Sequence, residues 1–208
     1  GVEELHVFGS ELDVFLLGVF SDIKQVGLYS VSYTCAEVIW RLPRAIGTIL
    51  FPAVASMEKA SASQLTSRVF RVSNLIVLVL CIIAALLAGF LIPLVFGDEF
   101  SGAVLPFLVL LPGIYFFSWH NTLIEDLKGR GLPQLKLNTA SLAALATLVL
   151  DLVLIPRYAA VGAGIASSVA YFAAGTYSVY LFRKHTTVPL RDLFLLTAAD
   201  FSRLRRLG

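Results

Sequence analysis

Three long stretches of this 208-residue chain contain no Asp, Glu, Lys or Arg: residues 72–97, 100–124 and 158–182. Each stretch is built mostly from Leu, Ile, Val, Phe and Ala. The hydrocarbon core of a bilayer needs about 20 apolar residues in helical form, whereas a surface helix of a soluble protein is apolar on one face only. The chain is therefore predicted to be an all-α integral membrane protein.

Composition supports this class and excludes several others. Charged residues make up 14% of the chain, well below the roughly 25% of soluble domains. The apolar stretches do not alternate, which argues against a transmembrane β-barrel. A net charge of +2 gives no reason to expect a nucleic-acid partner. With three His, two Cys and no catalytic motif, we expect neither a metal, a cofactor nor an enzyme.

The pattern predicts six membrane-spanning helices in one bundle, residues 1–183, followed by a basic tail, 184–208. The predicted spans are 3–20, 27–54, 72–96, 103–126, 137–155 and 160–182. Twelve basic residues lie in segments 55–71 and 127–136 and after residue 182, against two, Lys24 and Arg157, in the alternate loops. The positive-inside rule then places both termini in the cytoplasm. The tail is either a short interfacial helix or a solvated basic segment.

The second predicted span carries a polar stripe. Spacings of three and four residues place six polar side chains on one helical face: Ser30, Tyr33, Glu37, Arg41, Arg44 and Thr48. Each charge at membrane depth costs at least about 2.5–3.5 kcal/mol, so the stripe is expected to face a hydrophilic pathway. Arg41 and Arg44 would bind phosphate there, with Glu37 orienting Arg41 and Tyr33 beside them. The alternative is a structural ion pair, with Arg44 reaching towards an interface.

Three further residues are candidates for ion coupling. Asp13 in the first span either binds a coupling cation or pairs with an arginine of the stripe. His120 and Glu125 share a face of the fourth span with Asn121. This face either carries a proton beside a cavity or emerges into the lipid headgroups, where Trp119 would suit the interface.

Asp151, near the outer end of the fifth span, is also a charge at membrane depth. The simplest interpretation is an ion pair with Arg157, six residues further along the chain. A functional role is the less favoured alternative.

Several short motifs, taken in order, resemble one transporter family. The segments Asp13–Gly18 and Val26–Ser30 resemble the pattern D-x-x-L-L-G followed by V-G-x-Y. Leu42–Pro52 resembles P-x-A-I followed by L-F-P, and Leu94–Phe100 resembles L-F-G-x-x-F. Leu154–Ala166 resembles L-I-P-x-x-G-x-x-G-A-A-x-A. Together they are similar to the polysaccharide flippase branch of the multidrug/oligosaccharidyl-lipid/polysaccharide exporter superfamily.

The resemblance implies one lobe of a two-lobe, pseudo-symmetric transporter in which two bundles of about six helices enclose a central cavity. The chain would correspond to the C-terminal lobe, and the N-terminal lobe would be a missing partner. The implied function is to move polyprenyl-pyrophosphate-linked oligosaccharide across the bacterial plasma membrane for surface polysaccharide synthesis, by alternating access. Membrane lipid would be the other partner.

Three alternatives stay open at the level of sequence. The first is a drug/cation antiporter of the same superfamily, although a net-positive stripe argues against cationic substrates. The second is an integral membrane glycan polymerase or glycosyltransferase. The third is that a chain of this length is an inactive fragment or a half-transporter that must assemble.

Overall fold

A computed structural model describes residues 12–195, and every regular element in that range is a helix. Helix α1 covers 12–20, α2 Ile23–Ala55, α3 Lys59–Phe96, α4 Val104–Gly129, α5 Gln134–His185 and α6 Leu190–Phe194. A 3-10 helix, Asp98–Ala103, joins α3 to α4. Four helical segments of the described range are long and apolar enough to cross a membrane. The predicted all-α class is confirmed, and the chain is a multi-pass membrane protein.

Helix α3 begins much earlier than predicted. Its first residue is Lys59 rather than residue 72, so most of segment 55–71 is helix and not loop. The Asp22 carboxylate caps α2 by accepting from the Gln25 backbone N–H at 2.8 Å, but the Glu58 side chain makes no such bond at the start of α3. Hydropathy marks only the apolar part of a helix, so the polar extension of α3 was missed.

Helix α5 is too long for one span and is broken at Ala159. This residue has φ 47° and ψ −128°, which is not helical. Thr147 from the first half and Ser167 from the second line one cavity, and so do Ala140 and Ala174, which lie further from the break. Residues at similar distances from the break therefore lie side by side, so the two halves of α5 run antiparallel. They correspond to the predicted spans 137–155 and 160–182, and the break at Ala159 falls between those two spans.

Glycine makes this hairpin possible. A Cβ at Gly162 would lie 2.4 Å from the carbonyl oxygen of Leu154, far inside van der Waals contact. The backbones of the two halves therefore touch directly beyond the Ala159 break. Close backbone contact of this kind is typical of small residues at helix interfaces in membrane proteins.

Helix α4 is the central element of the bundle. It packs against α2, α3 and α5. In the most apolar stretch of each helix, 44% of the residues are buried for α4, whereas 22% are buried for α3. Its contact with the second half of α5 is close, because a Cβ at Gly175 would lie 2.5 Å from the Phe116 carbonyl oxygen. Helix α3 exposes most of its apolar side chains, as expected of a helix that faces lipid.

An ion pair at the C-terminal end of α4 joins it to α3. Asp126 is fully buried and accepts from Arg130 Nε at 2.5 Å and from the Thr66 hydroxyl at 2.5 Å. Arg130 also donates to the Ser63 hydroxyl at 3.0 Å. The pair thus fixes the polar extension of α3 against the last turn of α4.

The predicted tail is partly folded against the bundle. Helix α5 continues to His185, and α6 turns back so that Leu193 is fully buried with Phe70, Leu123 and Phe182. Phe194 packs edge-on against Phe70, with ring centroids 5.3 Å apart. The remaining basic residues of the tail follow residue 195 and are outside the described residues. Residues 3–11 of the first predicted span are also outside the described residues.

Candidate functional site

Helices α2, α4 and α5 enclose a cavity of about 320 Å³, here called the central cavity. Its walls are largely aromatic and small apolar side chains, with a few polar groups at defined places. One wall is formed by Trp40, Phe117 and Tyr171. The Trp40 and Phe117 rings meet edge-on with centroids 5.0 Å apart. A mostly apolar cavity with few converging polar groups is typical of ligand sites.

The charged groups of the central cavity are mainly cationic. Arg44 lies over the Trp40 ring, with its guanidinium carbon 5.2 Å from the ring centroid. Glu125 accepts from Lys128 at 2.6 Å and from Lys136 at 3.0 Å. The described lining therefore contributes three cations and one carboxylate, a net positive charge suited to an anionic ligand.

The polar stripe of α2 is divided between three environments. Arg44 and Thr48 line the central cavity as predicted. Tyr33 and Glu37 line a narrow cleft that shares its aromatic wall. The Arg41 side chain is 70% exposed, lines neither space and pairs with Glu37 at 3.5 Å. The structure thus brings Arg44 to the cavity and separates Arg41 from it.

His120 also reaches the central cavity. Its ring is buried, and Nδ1 lies 2.9 Å from the Ser178 hydroxyl of α5. The interpretation in which this face emerges into headgroups is therefore wrong for His120. Trp119, on the neighbouring face, packs against Phe194 with ring centroids 4.9 Å apart.

Asp13 lies at a second polar site inside the bundle. It is buried and accepts from the Tyr29 hydroxyl at 2.5 Å and the Ser167 hydroxyl at 2.9 Å. Asp151 is fully buried, within hydrogen-bonding reach of Asp13. Asp13 therefore contacts these residues instead of an arginine of the stripe, so that predicted pairing is wrong.

The predicted ion pair between Asp151 and Arg157 is also wrong. Within residues 12–195, no donor group makes a hydrogen bond to either carboxylate oxygen of Asp151 or to Asp13 Oδ1. Two buried carboxylates in contact are strongly unfavourable unless they share a proton or hold a cation between them. We call Asp13 and Asp151 the carboxyl pair.

The sequence analysis missed several residues of these sites. Lys128 and Lys136 were assigned to a loop, although Lys128 follows Glu125 at the i,i+3 spacing that predicts a pair on one helix face. Tyr29 and Ser167 gave no signal, because a hydroxyl on an apolar helix acquires a partner only through tertiary packing. The bond from Ser167 to Asp13 joins residues of α1 and α5.

Comparison with known proteins gives three informative similarities. Residues 2–105 match the family model described as polysaccharide biosynthesis protein. The probable low-salt glycan biosynthesis flippase Agl15 of Haloferax volcanii is 24% identical over 170 residues, which covers 79% of this chain and 36% of that protein. The probable flippase AglR of the same organism is 26% identical over 164 residues, covering 76% and 34%.

Among solved structures, a MATE protein in the straight conformation superposes on the whole chain with a TM-score of 0.82 at 18% identity. The chain covers 48% of that structure and about a third of the length of the two flippase relatives. At this identity the superposition shows the fold alone. The two Haloferax volcanii relatives are both named as probable flippases.

Proposed function

Because this chain belongs to the polysaccharide biosynthesis protein family, we propose that it is a lobe of a flippase for lipid-linked oligosaccharide. The cargo would be a glycan carried on polyprenyl pyrophosphate, moved from the cytoplasmic to the outer leaflet of the plasma membrane. The sugar would occupy the central cavity while the polyprenyl tail stays in the bilayer.

The observation that carries this proposal is the cationic lining of the central cavity. Arg44 presents a planar fork of N–H donors that matches a phosphate bidentately. Lys128 and Lys136 stand at the same cavity, held together by Glu125. A pyrophosphate that entered would exchange water for these three cations, whereas a cationic drug would meet repulsion.

The wider architecture follows from the proposal. The chain would span the membrane six times, with α5 supplying two spans, and both of its termini would be cytoplasmic. The basic ends of α3, α4 and α5 support that orientation. A second lobe would close the central cavity from the other side, which agrees with the 48% coverage of a MATE structure. A bacterial host stays a prediction, since the flippase relatives above are from Haloferax volcanii.

The carboxyl pair is proposed as the coupling site. Asp13 and Asp151 lie on α1 and on the first half of α5, so binding a proton or a cation would draw these two helices together. Releasing it would leave two facing charges that favour separation. Glu125 is already neutralised by two lysines, which makes it a weaker candidate. A ligand in the central cavity would change the surroundings of the His120 ring, which contacts the Ser178 hydroxyl.

The test is the surface glycan of host cells that carry Arg44→Gln in their own copy of the protein. We expect glycan display to be lost while protein level and membrane insertion stay normal, because the phosphate loses its bidentate donor. Arg183→Gln removes the same charge from the exposed end of α5 and should leave display unchanged. Normal display in the Arg44→Gln cells would refute the assignment.

Arg41→Gln decides how much of the stripe takes part. Loss of display in that variant as well would extend the phosphate site along the whole stripe, as the sequence predicts. Retained display would restrict it to the residues that line the central cavity. Resistance of the wild-type cells to cationic dyes, lost in both variants, would instead favour a cation antiporter.

A further inference from the structure

A second pocket, here called the basic pocket, lies outside the central cavity on the side of the bundle where α3 begins and α5 ends. Its volume is about 910 Å³, and none of its described lining residues also lines the central cavity. The polar extension of α3 forms one wall, and the end of α5 with residues 186–189 forms the other. The transport proposal does not use this space.

The lining of the basic pocket is strongly cationic. Its basic side chains come from α3, from α5 and from the residue that follows α4: Lys59, Arg68, Arg71, Lys184, His185 and Arg130. Arg130 is neutralised by Asp126. Asp192 is the carboxylate of the described lining, and Arg191 lies 3.4 Å from it. The hydroxyl residues Ser63, Ser67, Thr186 and Thr187 also line the pocket. The hydroxyls of the first three donate to backbone carbonyls four residues earlier in the chain.

The walls of the basic pocket are held in place by specific contacts. Arg71 Nη1 donates to the backbone carbonyl of Asp192 and so ties α6 to α3. Leu193 is buried next to that bond, in the cluster around Phe70. The pocket is therefore built by the fold and does not depend on the chance positions of long side chains.

The surface beside the basic pocket is apolar and exposed. Directly after Arg71, helix α3 exposes Leu75, Ile76 and Val79, each at about 39–45%. Leu195, beyond α6, is 64% exposed. A ligand that fits this surface has a phosphate for the pocket and acyl chains for the helix face, which is the form of an anionic phospholipid.

We propose that the basic pocket binds the headgroup of an anionic phospholipid from the cytoplasmic leaflet, whose acyl chains lie along α3. Basic pockets between helices at the cytoplasmic surface suit such headgroups, and each Lys or Arg near the surface contributes several-fold to the affinity. The bound lipid would bridge α3, α5 and α6 and so stabilise this end of the bundle. The proposal is independent of the glycan cargo.

The experiment is native mass spectrometry of the full 208-residue chain, stripped of lipid and titrated with phosphatidylglycerol or phosphatidylcholine of identical acyl chains. The test variant is Arg68→Gln with Lys184→Gln. The control is Lys24→Gln with Arg183→Gln, which removes the same charge from exposed positions that do not line the pocket. Thermal unfolding of each variant checks that it is folded.

We expect the wild type and the control to prefer phosphatidylglycerol, and the test variant to bind it about 30-fold more weakly. If the double variant does not fold, Lys184→Gln against Arg183→Gln gives the same comparison with a loss of about fivefold. Unchanged affinity in the test variant, or an equal loss in the control, would overturn the proposal. Displacement of the lipid by millimolar inorganic phosphate would do so too, because it would indicate a site for free phosphate.

Discussion

The ion pair between Asp126 and Arg130 gives the sharpest stability prediction. Asp126 is fully buried, and the Arg130 side chain is 9% exposed. Asp126→Asn leaves the guanidinium of Arg130 without its counter-charge in a site that water barely reaches. Breaking a buried pair from one side typically costs about 3–5 kcal/mol, and the weakened bond from Thr66 adds to it. We expect a loss of unfolding free energy in that range.

The assay is denaturant unfolding of the purified chain in mixed micelles, followed by helical circular dichroism. The control is Glu37→Gln, which removes the same charge from a pair whose side chains are 36% and 70% exposed. Exposed pairs contribute about 0–1 kcal/mol, so this variant should unfold almost like the wild type. A third variant, Asp126→Leu with Arg130→Met, removes both charges and should recover part of the loss.

The losses of unfolding free energy in the two single variants test whether burial makes the Asp126–Arg130 pair stronger than the Glu37–Arg41 pair. If Asp126→Asn and Glu37→Gln cost the same, burial does not set the strength of these ion pairs. If the double variant is less stable than Asp126→Asn alone, the loss does not come from an uncompensated charge on Arg130.

Two further predictions concern the backbone. Gly175→Val should lower the unfolding temperature strongly, because the new Cβ would lie 2.5 Å from the Phe116 carbonyl oxygen. Gly89→Val should be tolerated, because a Cβ there would have no atom within 4 Å. Equal effects of the two variants in thermal melts would contradict the close approach of α4 and α5. Ala159→Gly should stabilise the chain by up to about 1 kcal/mol, since glycine adopts positive φ without strain. Ala160→Gly, one residue later in a buried helical position, should instead destabilise it, and a loss in both variants would refute the strain at residue 159.

Most of the fold could be predicted because helices that cross a membrane have a distinctive apolar composition. Stretches without charge locate the apolar parts of α3, α4 and the second half of α5. Where a helix leaves the membrane, that signal ends although the helix continues, as at Lys59. The position of the break at Ala159 depends on how the two halves of α5 pack, and Leu193 became buried only through tertiary contacts.

The site was predictable only within single helices. The 3.6-residue period located Arg44 on the face that lines the central cavity. It gave Arg41 the same role, although a difference of one turn places that side chain outside the cavity. The contact between Asp13 and Asp151 joins residues on α1 and α5, and no periodicity within one helix can indicate such a contact.

Ser167 belongs to both polar sites of the bundle. Its hydroxyl donates to Asp13, and its side chain also lines the central cavity. If the carboxyl pair is the coupling site, as proposed, a cargo that displaced this hydroxyl would change the affinity of the pair for its proton or cation. Thermodynamic reciprocity then requires that occupancy of the pair change the affinity for cargo by the same factor. In the proposed flippase the exchange would then have no built-in direction: an ion gradient would load the glycan, and an excess of glycan on one side would drive the ion.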